Sequence, residues 1–337
     1  MNLSRLAPAA LASVLLLTGC PAKKDTAETA TTTAPKAAAP KVPAFNADSA
    51  YAYVAKQVAF GPRVPNSKAH VQTGDWLVAR FKALGLTVRE QPFEAMAFDG
   101  NMLKSRNLIA QYQPQAPRRI AVFTHWDTRP FADKDQQQKN APFDGASDGA
   151  SGVGVALELA RILAAQPDSL APGVGVDFIL FDAEDYGYDS ATQGEKKNLL
   201  EGQETWCLGS QYWAKNVVPA GYKANYGILL DMVGAKDGKF SREGVSMQNA
   251  RDVVEKVWNT ASELGFSDYF QFSDSPAITD DHVFTNQAGV RTADIIDFLP
   301  NGEFRPYHHT TQDNLSIIDR RTLNAVGQTV LTTIYKE

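Results

Sequence analysis

"RIAVFTHWD", residues 119–127, decides the fold. An arginine leads four consecutive apolar residues, and the run breaks off at His125 and Asp127. An apolar run without polar alternation reads as a strand covered on both faces, as in a parallel sheet lying between helices. The same pattern returns in "RNLIAQY" (106–112), "VDFILFDAED" (176–185), "YGILLDMVGA" (226–235) and "TADIIDFLP" (292–300). Between these runs the apolar spacing lengthens to that of a helix, in "DWLVARFKALG" (75–85) with its terminal glycine and in "GVGVALELARILAAQ" (152–166). Strands alternating with helices predict an α/β three-layer sandwich, with a central mixed, mostly parallel sheet flanked by helices.

In such sheets functional groups gather just beyond the carboxyl ends of the strands. There the chain places His125 and Asp127, then Asp182, Glu184 and Asp185, then Asp231, and finally "YHHTTQDN" (307–314), where two of its five histidines stand side by side. Asp148 in "DGASDGASGVGVALELA" (144–160) precedes a helix: it either caps that helix or faces an ion around which the glycines and alanines let the backbone close. Glu184 and Asp185 would repel each other unless a cation neutralised them. Carboxylate oxygens and an imidazole nitrogen around one open position are the usual make-up of a catalytic zinc site, so one histidine of the pair is expected to be a ligand.

The composition bounds the rest. At 337 residues, 44% hydrophobic and 21% charged, the chain can bury a substantial core, and its net charge of -5 excludes a phosphate-neutralising surface, hence nucleic acid as a partner. Residues 1–20, "MNLSRLAPAALASVLLLTGC", read as a lipoprotein signal: an early Arg5, an apolar run too short to cross a membrane, and a lipobox-like end that makes Cys20 the lipidated residue. Residues 21–43 are rich in Ala, Thr, Pro and Lys and read as a disordered tether, followed by one catalytic domain over 44–337. Cys207 then has no disulfide partner. The expectation is an exported monomer on the periplasmic face, attached to a membrane only through its lipid. The outer membrane is preferred, since Pro21 stands where an aspartate would favour inner-membrane retention.

"THWD", "GASDGASG", "FDAEDYG", "LGSQYWA", "LLDMVGA", "TDDH" and "HHTTQDN", in that order over residues 124–314, resemble the zinc-dependent aminopeptidase superfamily, and within it the glutaminyl-peptide cyclotransferase (glutaminyl cyclase) branch. The resemblance implies Zn2+ held by Asp148, Asp185 and His309, Glu184 as acid/base, and Asp231 and Asp280 as the hydrogen-bonding pair of the site. The implied substrate pocket involves Phe304, His308, Trp206, Ile278 and Thr279. Two departures stand out: Asp185 replaces a frequent glutamate, and His308 replaces a frequent tryptophan whose surface Trp206, Tyr186 or Trp126 could supply. The implied reaction converts N-terminal glutamine of peptides or proteins to pyroglutamate with release of ammonia, using one zinc. The alternative is a di-zinc aminopeptidase in which His125 and Asp231 hold a second ion and Asp148 bridges the two.

Overall fold

Asn46 accepts a hydrogen bond from Ser49 N and starts α1 (Ala47–Val58), and Ser67 caps α2 (Lys68–Ala83) by accepting from His70 N. The computed structural model describes residues 41–167, 170–193 and 198–337, so the signal, Cys20 and tether residues 21–40 lie outside the described residues. Gly85, at φ +83°, turns the chain out of α2 into β1 (Thr87–Met96), which pairs antiparallel with β2 (Met102–Tyr112). The chain continues through β3 (Arg118–His125), α3 (Ala150–Ala165), β4 (Val174–Phe181), α4 (Ser190–Gln193), α5 (Leu208–Lys215) and β5 (Tyr226–Asp231). β6 (Phe240–Arg242), α6 (Gly244–Asn249), α7 (Arg251–Glu263), β7 (Phe270–Asp274), α8 (Asp281–Gln287), β8 (Thr292–Ile296) and α9 (Arg320–Tyr335) complete it. Among the described residues no helix is long and apolar enough to cross a membrane.

The central sheet runs β1-β2-β4-β3-β5-β8. β4, β3, β5 and β8 are mutually parallel, while the β2 pairings with β1 and β4 are antiparallel, which makes the sheet mixed and mostly parallel as expected. Alternate side chains of each central strand go to opposite layers. Ile120 and Val122 join Phe178, Ile228 and Ile295 under α1, α3 and α9, whereas Ala121, Phe123, Phe181 and Leu229 pack with Trp213 of α5. Register then fixes the site: Phe123 pairs with Leu229 and His125 with Phe181, so the last residues of β3, β4 and β5 come out side by side.

Three strands escape the sequence reading. β1 carries exposed residues along most of its length and has Pro92 at its middle, marks of an edge strand that lacks the buried apolar run. The pair β6 and β7 is too short to show a period. Inside α3 one glycine has a packing role of its own. A Cβ on Gly152 would fall 2.2 Å from Thr124 Oγ1 and 2.4 Å from Leu230 O, so α3 rests directly on β3 and β5 at this glycine. Gly152→Ala is therefore expected to lower stability by about 1–3 kcal/mol through overpacking. Thermal denaturation checks this, and an unchanged melting temperature would mean that the helix has room to shift.

Candidate active site

Several of the site's acids and imidazoles sit at or beside unusual backbone turns. Ala183 (φ +54°) follows β4 and aims Glu184 and Asp185, Met232 (φ +50°) follows Asp231 of β5, and His309 itself sits at φ +55°. Cys207, at φ +58°, opens α5 beside them. Left-handed backbone is costly for residues with a Cβ, and its concentration here is strain of the kind that functional sites retain. Asp148 comes from the turn before α3, whose N-cap is Gly149 at φ +86° with no side-chain cap bond, so Asp148 is not the helix cap.

Asp148, Asp185 and His309 converge. Nε2 of His309 lies 3.0 Å from Asp185 Oδ1 and 3.7 Å from Asp148 Oδ2. Apart from Asp127, their supports are residues that the sequence does not single out. Arg129 N–H donates to Asp185 Oδ2 at 2.8 Å, and both oxygens of Asp127 accept from the backbone N–H groups of Glu184 and Asp185. Asp313 accepts from Ser147 N at 2.7 Å and Asp148 N at 3.0 Å, which anchors the Asp148 turn. The guanidinium of Arg129 forks onto Asp133, whose Oδ1 stands 3.6 Å from the otherwise unpartnered Nδ1 of His309. A carboxylate behind the far nitrogen of an imidazole is the arrangement that orients a metal-binding histidine.

The electrostatics fit a divalent cation. Burial, followed by the charge of Asp148, pushes Asp185 well above the ordinary carboxylate range. Burial and the Arg129 charge hold His309 down at about 3, leaving its imidazole neutral with a lone pair to donate. Two crowded buried carboxylates and one neutral imidazole are a zinc-type donor set, and a cation among them removes the repulsion.

Glu184 and a second group of acids stand beside this trio. Burial, then the charges of Asp280 and Asp185, raise Glu184 well above its usual range, which strengthens it as a proton acceptor. Donor atoms of Glu184, Cys207 and Asp280 all lie within 4.8 Å of one another. Asp280 is the N-cap of α8, with one oxygen accepting from Asp281 N. Nε2 of His125 sits 3.1 Å from Asp231 Oδ1 and 3.1 Å from Asp148 Oδ1. Burial raises Asp231 to about 7 against the pull of that imidazole. His125 thus joins Asp148 and Asp231, the very residues that a second metal would share.

Asp148, Glu184, Asp185, Asp231, Asp280 and His309 line a cavity of about 580 Å³. Trp206, Phe304, His308, Ile278 and Thr279 all line it. Trp206 lies parallel to the His309 ring, 5.8 Å between centroids and 10° between planes, with the Arg129 guanidinium 4.6 Å from the Trp206 ring. His308 stacks between Phe304 (4.1 Å) and His309 (3.7 Å). Its Nδ1 takes a hydrogen bond from Lys134 Nζ at 2.9 Å, leaving Nε2 as the N–H side. Lys134, Tyr188 and Glu204 also line the cavity, and nothing in their sequence context announces it. Neither Tyr186 nor Trp126 supplies pocket surface: Tyr186 packs with Phe98, and the fully buried Trp126 stacks on His70.

Comparison with known proteins places this geometry. Residues 107–334 match the model of Peptidase family M28. A solved structure of Bacteroides thetaiotaomicron glutaminyl cyclase bound to N-acetylhistamine is 48% identical, with a TM-score of 0.81 over 88% of this chain and 100% of that one. Tannerella forsythia glutaminyl cyclase is 46% identical, with a TM-score of 0.82 over 88% and 100%. A leucine aminopeptidase precursor from Bacteroides thetaiotaomicron is 47% identical, with a TM-score of 0.80 over 88% and 99%. Aminopeptidase YwaD of Bacillus subtilis (strain 168) is 27% identical over 239 residues, which are 69% of this chain but only 44% of that protein.

Proposed function

The chain belongs to peptidase family M28, and from that membership we propose that it is a zinc-dependent glutaminyl-peptide cyclotransferase, closing the N-terminal glutamine of peptides or proteins to pyroglutamate with release of ammonia. The observation that carries this reading is the position of Glu184, next in sequence to the ligand Asp185 and with a donor atom within 4.8 Å of one of Asp280. One carboxylate thereby reaches both the amide and the amine of a folded-back glutamine. The identities of 46–48% to solved glutaminyl cyclases over nearly their whole length support it.

Asp148, Asp185 and His309 would hold one zinc ion. Bound there, zinc supplies Lewis acidity toward the side-chain amide oxygen. The protein's own groups do the rest. Trp206, Phe304 and His308 wall the glutamine side chain, while Asp231 and Asp280 accept from the α-amine and aim its lone pair at the amide carbon. As the N–C bond forms, Glu184 takes a proton from the amine. It then passes that proton to the amide nitrogen, the C–N bond breaks, and ammonia leaves. Nucleophile and electrophile belong to one molecule, so holding them bent together provides much of the rate.

The second reading is a di-zinc aminopeptidase, favoured by the donor atoms of His125, Asp148 and Asp231, which lie within 4.8 Å of one another. A peptide with N-terminal glutamine, incubated with the zinc-loaded protein and followed by mass spectrometry, separates the two. The expected product is one ammonia lighter with its chain intact, whereas free glutamine and a shortened peptide would replace the cyclase by the peptidase. We further propose a monomer exported to the periplasmic face of a membrane and anchored through lipid on Cys20, a reading supported by residues 1–43 of the sequence alone.

A further inference from the structure

His308 stands where the wall of the cavity meets the expected metal ligands, and Lys134 decides which of its ring nitrogens carries the proton. An ammonium group donates and does not accept, so the Nδ1 that lies 2.9 Å from Lys134 Nζ is the acceptor and the N–H is at Nε2. The two segments are also stitched together: the Lys134 backbone N–H donates to His309 O at 3.2 Å, and the Thr311 N–H to Asp135 Oδ2 at 3.1 Å. Phe304 and His309 stack against the ring at 4.1 and 3.7 Å between centroids and fix its plane. His308 is 7% exposed, and its Nε2–H finds no hydrogen-bond acceptor among the described residues, since Asp148 Oδ2 at 3.9 Å is out of reach. An unpartnered buried donor on the lining of a cavity calls for an acceptor on the ligand.

We propose that His308, through Nε2–H, is a catalytic donor to the oxygen of the amide under attack, and that Lys134 is the positioning residue that keeps the proton on that nitrogen. The proposal deepens the reading of the cavity as a glutamine-cyclising site and rests on it. Asp148 is one of the three residues assigned to zinc, so an N–H that lies 3.9 Å from its Oδ2 faces the place to which the amide oxygen has to come. Negative charge gathers on that oxygen as the amine adds to the amide carbon, and a donor already in place strengthens with it at no cost of reorganisation. The Lys134 charge behind Nδ1 polarises the ring and makes the N–H a better donor. Donor atoms of Asp148, His308 and His309 do lie within 4.8 Å of one another, but a metal takes a lone pair, and the one that the His308 ring offers is engaged by Lys134.

The test uses the full chain, loaded with one equivalent of zinc and carrying isotope-labelled histidine, so that nitrogen NMR has five imidazoles to resolve. The His308 signal is the one that disappears in His308→Phe. Without substrate it is expected to show the proton on Nε2 and an accepting Nδ1; in Lys134→Met both tautomers should be populated, and Lys134→Arg, which still donates, should restore the parent spectrum. With a peptide carrying N-terminal glutamine, His308→Phe should lower kcat by about 10²-fold with KM and bound zinc unchanged, the mark of a contact made only in the transition state. Lys134→Met should lower kcat by up to about tenfold, the worth of one ordinary hydrogen bond, and Lys134→Arg should recover it. A proton on Nδ1 in the parent would overturn the proposal. So would a parent-like kcat in His308→Phe, or loss of its zinc, which would make His308 a ligand. If His308→Phe folds poorly, the Lys134 variants decide, because an unchanged spectrum and kcat in Lys134→Met would overturn the proposal equally. A parent that releases free glutamine from the peptide loses the proposed function, while the spectrum stands and the same kcat comparison, made on hydrolysis, still decides the donor.

Discussion

Glu184→Gln should bind zinc as the parent does and turn over N-terminal glutamine peptides about 10²–10⁴-fold more slowly. The substitution keeps the size of the side chain and an acceptor oxygen for the Cys207 thiol, which sits 3.1 Å from Oε1 in the parent. The Glu184 N–H still bonds Asp127, and that bond with its Asp185 counterpart holds the turn carrying the ligand. What disappears is the ability to take a proton from the attacking amine and return it to the leaving nitrogen. Burial and the charges of Asp280 and Asp185 raise the proton affinity of Glu184 for that task, and an amide has nothing comparable. Ammonia release measures kcat, and metal analysis of the same sample measures zinc. Loss of zinc along with activity would make Glu184 a ligand and reverse its role with Asp185.

The rim that these residues share was legible because parallel strands write a plain signature. Four runs, at 119–127, 176–185, 226–235 and 292–300, each hold a stretch of apolar residues broken by few polar ones, and the first three each end on a group that reaches the site. β1 was not legible, because an edge strand with Pro92 and exposed charges has no apolar run to detect. The supports of the site were hidden for another reason. Arg129 lies four residues from Asp133 in a segment with no regular period, and its value comes from reaching Asp133, the Asp185 backbone and Trp206 at once. Asp313 is one more acid in "TTQDN" until the fold carries it to the Asp148 turn, 165 residues away. Cys207, judged from sequence by its lack of a disulfide partner, proves to be the donor to Glu184. The left-handed positions Ala183, Met232 and His309 are not glycines, so no residue preference announces them.

Removing one ligand separates the metal's part in stability from its part in catalysis. His309→Gly is the appropriate variant: the backbone stands at φ +55°, where alanine would add strain and glycine adds none, and all donor atoms of the side chain go. The variant should lose tight zinc binding and, with it, measurable cyclase activity. It should also melt at the same temperature with or without added zinc. The parent behaves differently, since an ion bound only by the folded chain stabilises it by about 2.7–4 kcal/mol when free zinc exceeds its dissociation constant by 100–1,000-fold, and a chelator withdraws that amount. Melting curves of both proteins, each with zinc and with chelator, test this directly. A zinc-dependent melting temperature that survives in His309→Gly would place the ion elsewhere, and the cluster of His125, Asp148 and Asp231 is where a second ion would then have to be sought.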